Sequence, residues 1–410
     1  MRFAAKVRAA DEHEVTFEVT FNSNSLTDLP VRPSREMLLA RAERLAATLS
    51  ERSAECEAQR RVPRATVADF IANGLLRLCQ PQRYGGYELG WDVVCEIGQV
   101  LARGCGSQAW IQHIFNGHVQ FLCGFPLQAQ DDVWGTDPDT QIAASFDPVG
   151  KARPVTGGVM YSGRHAFSSG IDHAQWLICG GRILAPDGAP QQCFFLVPKD
   201  EITVIDDWFS LGLAGTGSNS FEVADVFVPE HRILTWADFE AGTGPGSLVN
   251  RAPLYRLPAT SMTVGFAACA VGVAQGFLDE YLSYTRPRKS RGVPVAASMG
   301  TQMGAGTASA QIDAAALICL DSARRAMESV ERGEEITAVD KLRSKRDATF
   351  ACRLALDAVT PLFSAAGGRV LDRGNALQRR FRDLLAVTSH HSLVWDSAVA
   401  NYGRHLLGVE

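Results

Sequence analysis

No long basic run interrupts this 410-residue chain, whose formal net charge is -5. The extended positive surface of a nucleic-acid binder is therefore not expected. Ten cysteines are present, yet none forms C-x-x-C or another metal-ligand spacing. That pattern excludes a zinc centre and a disulfide framework, and it suits buried thiols in the reducing cytoplasm. Strand–G-x-G-x-x-G, G-x-x-x-x-G-K-[ST] and G-x-S-x-G are also missing, which removes a nicotinamide fold, a phosphate loop and a nucleophile elbow. The opening "MRFAAKVRAADEHEV" lacks the sustained apolar core of a secretory signal. One uncharged run, residues 257–278, is long enough to cross a membrane. It contains Thr260, Ser261, Thr263 and Gln275, and its Gly265, Ala268, Gly272 and Gly276 suit close helix packing. A buried or subunit-interface helix is expected there, with no membrane span.

What the chain does have is 46% hydrophobic residues, enough for a large core divided into two or three regions. Residues 1–30 read as a loosely attached extension, in which "EVTFEVTF" alternates like a strand without an evident partner. Helical periodicity runs through 31–140, broken at "PQRYGGYELG". Over 141–240 the text turns to short β-branched and aromatic runs separated by Gly, Pro and Asp, as in a small sandwich or barrel. From 241 to 410 long helices return, at 257–285, 308–332, 338–366 and 376–408. Helices, strands, then helices argue for segregated layers: a mainly α fold with a central β domain.

Three segments in this order resemble the acyl-CoA dehydrogenase fold: "LCQPQRYGGYELG", "WFSLGLAGTGSNSFEVADVFVPEHRIL" and "FSAAGGRVLDRGNALQRRFRD". The resemblance covers about residue 70 to the C-terminus. It implies an N-terminal helical domain, a middle β-sandwich or barrel and a C-terminal four-helix bundle. Within that superfamily the chain is most similar to oxygenase components of two-component flavin monooxygenases. The residues that carry this are "GCGSQAWIQHIFNGH", "AASFDP", "FSSGIDHAQW", "GLAGTGS" and "RDLLAVTSHHSLVWD".

Such a protein uses reduced FMN or FAD and O2 to hydroxylate a phenolic or other aromatic molecule through a flavin C4a-hydroperoxide. A separate reductase supplies the flavin, because this chain has no nicotinamide site. A homotetramer is expected, since the C-terminal helices look too apolar for a monomer. A dehydrogenase or oxidase acting on acyl-CoA is the alternative, but its base is a glutamate and "GGRVLDRGNALQRRFRD" offers only Asp372 and Asp383. An N- or S-oxygenating monooxygenase of the same fold, and a catalytically silent helical scaffold, are further alternatives.

By resemblance, His390 sits near the flavin C4a position. His118, eight residues after Trp110, would act as base on a substrate hydroxyl, shared with Ser145. Ser168 and Ser169, with Thr216 and Ser218, would hydrogen-bond the flavin; Arg286 would meet its phosphate, with Arg288 as competitor. Gly367 and Gly368 would approach the flavin of a neighbouring subunit, and Trp110 and His391 would border the substrate. Read alone, every one of these residues is equally compatible with a core, cap or turn role, and His113 reads as structural. Neighbouring helical residues project about 100° apart, so His390 and His391 cannot do one job, and His391 would share a stripe with Thr388, Val394 and Trp395. One departure is Ala214, where many relatives carry Arg.

Overall fold

The computed structural model describes residues 32–184 and 188–409, together with strands β1 (Phe3–Val7) and β2 (Val15–Val19). These two strands pair antiparallel, Phe3 opposite Val19. The alternating "EVTFEVTF" thus has a partner after all, in "FAAKV". The remainder of the expected extension lies outside the described residues. Met1–Pro33 and Ser34–Glu410 are separate compact units.

The larger unit opens with helices α1 (Arg35–Glu51), α2 (Ser53–Gln59), α3 (Arg64–Ala72), α4 (Trp91–Gly104), α5 (Gly106–Leu122) and α6 (Leu127–Trp134). Ser34 starts α1 by accepting the Met37 N–H at 3.2 Å, satisfying one orphan donor of the first turn. Leu38, Ala42, Leu45 and Leu49 then fall on one face, and all four are buried.

Seven strands follow: β3 (Ile142–Val155), β4 (Gly158–His165), β5 (Trp176–Leu184), β6 (Pro190–Pro198), β7 (Ile202–Ile205), β8 (Ser220–Pro229) and β9 (Ile233–Thr235). They form one sheet in the order β7-β8-β4-β3-β5-β6-β9, antiparallel except for β3 against β5. Alternation sets the two faces. Ile142, Ala144, Ile178, Phe194 and Leu196 join the helical core, while Leu177, Cys179, Phe195, Tyr161 and Phe221 build a second core behind the sheet. Three strand spacings, roughly 14 Å, would separate β4 from β6 in a flat sheet. The rings of Tyr161 and Phe195 nevertheless stack at 4.4 Å between centroids, because the Tyr161 ring lies across Gly150 of β3 and Gly181 of β5, which have no side chains to bar it. The pairing of β3 with β5 shifts register between Ser145 and Gly150. The central β domain expected from the sequence is this mixed sheet with a core on each face.

The chain then returns to helices: α7 (Trp236–Ala241), α8 (Ala259–Met262), α9 (Val264–Thr285), α10 (Met299–Glu331), α11 (Ala338–Ala365), α12 (Ala376–Thr388) and α13 (Trp395–Leu407). The uncharged run becomes α8 and α9, and 83% of its most apolar window is buried inside the protein. Its glycines explain how. A Cβ on Gly272 would stand 2.2 Å from the Gln99 carbonyl oxygen, and one on Gly276 2.3 Å from that of Arg103. Only hydrogen side chains let α9 lie this close to α4.

The expected helix 376–408 is broken. Thr388 and Ser389 turn their hydroxyls back onto the Leu384 and Leu385 carbonyls at 3.0 and 2.7 Å, competing with helical continuation. His390 leaves the helix in an extended conformation and caps a short turn by accepting the Ser392 N–H at 3.2 Å. The two histidines are consequently not 100° apart on a helix; their rings touch at 4.4 Å. His391 is exposed and shares no helical stripe with Thr388, Val394 and Trp395.

Candidate active site

Helix α5 crosses the interior and carries Trp110, His113 and His118, all buried. His118 donates from Nδ1 to the Ile142 carbonyl at 2.7 Å, because a carbonyl can only accept. Burial holds its imidazole down to about 4, against a smaller upward pull from that bond, so the ring is neutral at pH 7. A neutral ring with its proton on Nδ1 presents a bare lone pair at Nε2. The imidazole borders an aromatic stack. His118 meets Phe146 edge-on at 5.6 Å, and Phe146 stacks on Phe121 at 4.1 Å, which stacks in turn on Phe239 at 4.1 Å.

His390 has the opposite tautomer. Its Nδ1 accepts from the Ser392 N–H, so the proton of the neutral ring lies on Nε2. Burial, followed by the neighbouring His391, holds it down to about 4. Its ring rests on Phe266 at 4.4 Å and Trp110 at 5.6 Å. One histidine can thus accept a proton at Nε2, and the other can give one. His113, pushed down to about 3 by burial, is wedged between Trp91 and Phe266 and fits a packing role.

The serines sort themselves by where their hydrogens go. Thr216 donates to the Leu213 carbonyl at 2.8 Å, and its oxygen lies 2.7 Å from Ser218. Ser218 lies 2.7 Å from Ser169, which accepts from the Trp110 indole N–H at 3.2 Å. The only direction that satisfies every donor runs Trp110 → Ser169 → Ser218 → Thr216 → Leu213 carbonyl. Within the chain those three hydroxyls thus find partners for their hydrogens, and each oxygen can still accept. Ser168 Oγ is buried with no hydrogen-bond partner. Ser145 has given its hydrogen to the Ala166 carbonyl at 2.9 Å, which leaves it able to accept but not to donate.

These features fit the flavin that the sequence resemblance implies. The orphaned Ser168 hydroxyl needs a partner. Beside it, Phe167 is 70% exposed and held at φ 60°, an unusual conformation for a bulky residue. Phe209 and Leu211 are similarly exposed at the mouth of the 212–218 loop. Flat apolar surface and one unsatisfied polar group are what a buried isoalloxazine would cover.

Other expected residues are not brought to this network within one chain. Arg286, Gly367 and Gly368 are exposed. Arg288, not Arg286, faces Gly367: it lies over the Tyr284 ring at 4.6 Å, and a Cβ on Gly367 would meet its guanidinium at 3.3 Å. Ala214 is buried in the loop beside Thr216. Sequence reading missed Phe266 and Phe146, which look like ordinary core aromatics. It also missed the role of Asp383, whose carboxylate accepts the Leu213 N–H at 2.7 Å.

Comparison with known proteins agrees with this architecture. Residues 32–130 match the N-terminal domain of acyl-CoA dehydrogenase, and residues 264–395 match its C-terminal domain. The chain is 34% identical to the oxygenase subunit HsaA of a flavin-dependent monooxygenase from Rhodococcus jostii, over 90% of this chain and 98% of HsaA. It is 33% identical to the oxygenase component of an FADH2-dependent resorcinol hydroxylase from Rhizobium, over 91% of this chain and 94% of that one. Among solved structures, XiaF from Streptomyces, in complex with FADH2 and glycerol, superposes with a TM-score of 0.85 at 28% identity. It covers 92% of this chain and 96% of XiaF. The chain belongs to the flavin-dependent monooxygenases of the acyl-CoA dehydrogenase fold, as an oxygenase component.

Proposed function

We propose that this oxygenase component hydroxylates a small phenolic compound, taking FMN or FAD reduced by a separate reductase and using O2 as co-substrate. The observation that carries this reading is the Nε2 lone pair of His118, fixed by the Nδ1–H bond to Ile142, on a buried ring that meets Phe146 edge-on. A phenol offers a hydroxyl hydrogen for that nitrogen and an apolar ring for its aromatic surroundings. Reduced flavin, when bound, supplies the activation of O2 from which one oxygen atom is transferred.

In this reading Ser168 gives its free hydroxyl hydrogen to the flavin. Phe167 and Phe209 cover its ring, and Arg288 with Gly367 and Gly368 serves the flavin of a neighbouring copy in a cytoplasmic homotetramer. Arg286, two residues earlier at the C-cap of α9, is a second candidate for the phosphate. The helical regions 31–140 and 241–410 wall the substrate, and the β region 141–240 carries the flavin loops. His390 faces the chemistry with an N–H, which stabilises a negatively charged oxygen, and the rings of Phe266 and Trp110 exclude water around it. Ser145 orients the substrate oxygen as an acceptor.

Dehydrogenation of an acyl-CoA is disfavoured by a specific observation. Asp383 is tied to the Leu213 N–H and Asp372 is exposed, so neither stands free as a base facing the rings. Oxygenation at nitrogen or sulfur is disfavoured because such an acceptor has no acidic hydroxyl for His118. The test is to mix the protein with chemically reduced FMN or FAD and labelled O2 in the presence of a panel of phenols. One labelled oxygen in a phenolic product is the expected result. Rapid anaerobic reduction of bound flavin by an acyl-CoA, with no phenol converted, would overturn it.

A further inference from the structure

We propose that Asp383 is a positioning residue for the flavin site. From α12 its carboxyl holds the 212–218 loop and thereby the whole hydrogen-bond chain that ends on Trp110. The inference rests on the flavin-site reading above but is carried by geometry of its own.

Leu213 is where the chain of hydroxyls ends. Its carbonyl accepts from Thr216 at 2.8 Å and from the Trp208 indole at 3.2 Å, while its N–H goes to Asp383 Oδ1 at 2.7 Å. The residue sits at φ 51°, the left-handed region that a leucine adopts only when its surroundings impose it. Two neighbours supply that imposition. Gly212 lies so close to α12 that a Cβ would stand 1.9 Å from the Arg382 carbonyl oxygen, and the Asp383 carboxylate receives the next N–H. Asp383 also abuts the first turn of α5, since a Cβ on Gly106 would lie 3.3 Å from it. The carboxyl therefore joins three elements: α5 with Trp110 and His118, the loop with Thr216 and Ser218, and α12, which runs on to His390. Without that acceptor, one buried N–H loses its partner and the strained leucine loses a restraint.

The surroundings make this clamp sensitive to protons. Cys56, Cys105, Cys269, Glu57, Arg380 and Arg382 are the titratable and charged groups that face it. Burial, then the nearby Cys105, pushes Asp383 up to about 7, with the Leu213 bond and Arg382 pulling the other way. An ionised carboxylate accepts more strongly than a neutral acid, so an opening that breaks only the Leu213 bond and leaves Asp383 buried becomes costlier as pH rises through 7, even though global unfolding, which frees the carboxyl, becomes easier.

Hydrogen exchange of peptides spanning residues 209–219, measured without flavin and corrected for intrinsic rates, reads the clamp directly. In the wild type, protection should rise about fivefold between pH 6 and 8. Asp383→Asn, which keeps an acceptor but cannot ionise, should abolish that rise. Asp383→Ala should lose at least tenfold protection in this segment alone. Affinity for FMN or FAD, measured by fluorescence quenching, should fall about tenfold in Ala and less than threefold in Asn. The clamp is overturned if Asn retains the wild-type pH profile, and this arm decides the matter even where the Ala variant does not fold. It is also overturned if Ala leaves the segment unchanged or loosens every peptide alike. Loop loosening without any change in flavin affinity would uphold the clamp and refute the placement of flavin on this loop.

Discussion

His118 offers a test in which magnitude decides between two mechanisms. A free phenol ionises near 10, whereas this buried imidazole is held down to about 4. Complete proton transfer in the resting complex is thus uphill by roughly 8 kcal/mol, too much for a preformed phenolate paired with imidazolium. The lone pair at Nε2 must instead accept a hydrogen bond and take the proton only as the ring carbon becomes electron-poor during oxygen transfer. Replacing His118 by Asn keeps a donor for the Ile142 carbonyl and deletes Nε2. General-base contributions of this kind are worth about 10²–10³ in rate, or roughly 3–4 kcal/mol. Single-turnover mixing of reduced flavin, O2 and phenol should therefore show product formation slowed by that factor, with flavin affinity unchanged and hydrogen peroxide taking product's place. The pH profile of wild-type product formation should be flat from about pH 5.5 to 8 with respect to this group. An acid limb near pH 6.5 that disappears in His118→Asn would refute the depressed, lone-pair-only imidazole.

His390→Ala should leave flavin affinity within about threefold but divert most oxygen to hydrogen peroxide, assayed as the ratio of peroxide to hydroxylated product; unchanged coupling removes His390 from the chemistry. Ser168→Ala deletes a buried hydroxyl without a partner, so the flavin-free protein should become more stable by about 1 kcal/mol in denaturant titration while flavin binds several-fold more weakly. Loss on both counts would mean that Ser168 is satisfied within the chain. The pH dependence of stability should carry two opposite signatures. His113, His118 and His390 have folded-state values below the ordinary 6.5, so their contribution is present above pH 6.5 and is lost as pH falls towards 4. Asp383 is raised, so its contribution is present below about pH 4 and is lost as pH climbs towards 7, by up to about 4 kcal/mol. Asp383→Asn should match the wild type at pH 4 and exceed it at pH 8 in chemical denaturation; parallel curves would refute the raised value.

The layered fold was legible because its signals are local. Period-2 runs separated by turn residues marked the sheet, and residues 257–278 showed their small residues on the face that meets α4. The strand order was not legible, since the contact of Tyr161 with Phe195 spans strands that the sequence alone does not order. The break after Thr388 was hidden for a different reason. Apolar spacing continues through it, and only the back-bonding hydroxyls of Thr388 and Ser389 reveal where the helix stops. Of the candidate site residues, His118, Trp110 and His390 were proposed through motifs. Their tautomers depend on backbone groups of Ile142 and Ser392, and the Ile142 carbonyl is 24 positions from His118. Asp383 was noted only as an unsuitable base, because nothing in its neighbours along the chain announces the N–H of Leu213, 170 residues away.

The opposite tautomers of His118 and His390 set opposite demands on whatever meets each ring. A compound bound at His118 should offer a hydrogen, and one bound at His390 should offer a lone pair. An inhibitor with acceptors alone forfeits the first contact, and one with donors alone forfeits the second.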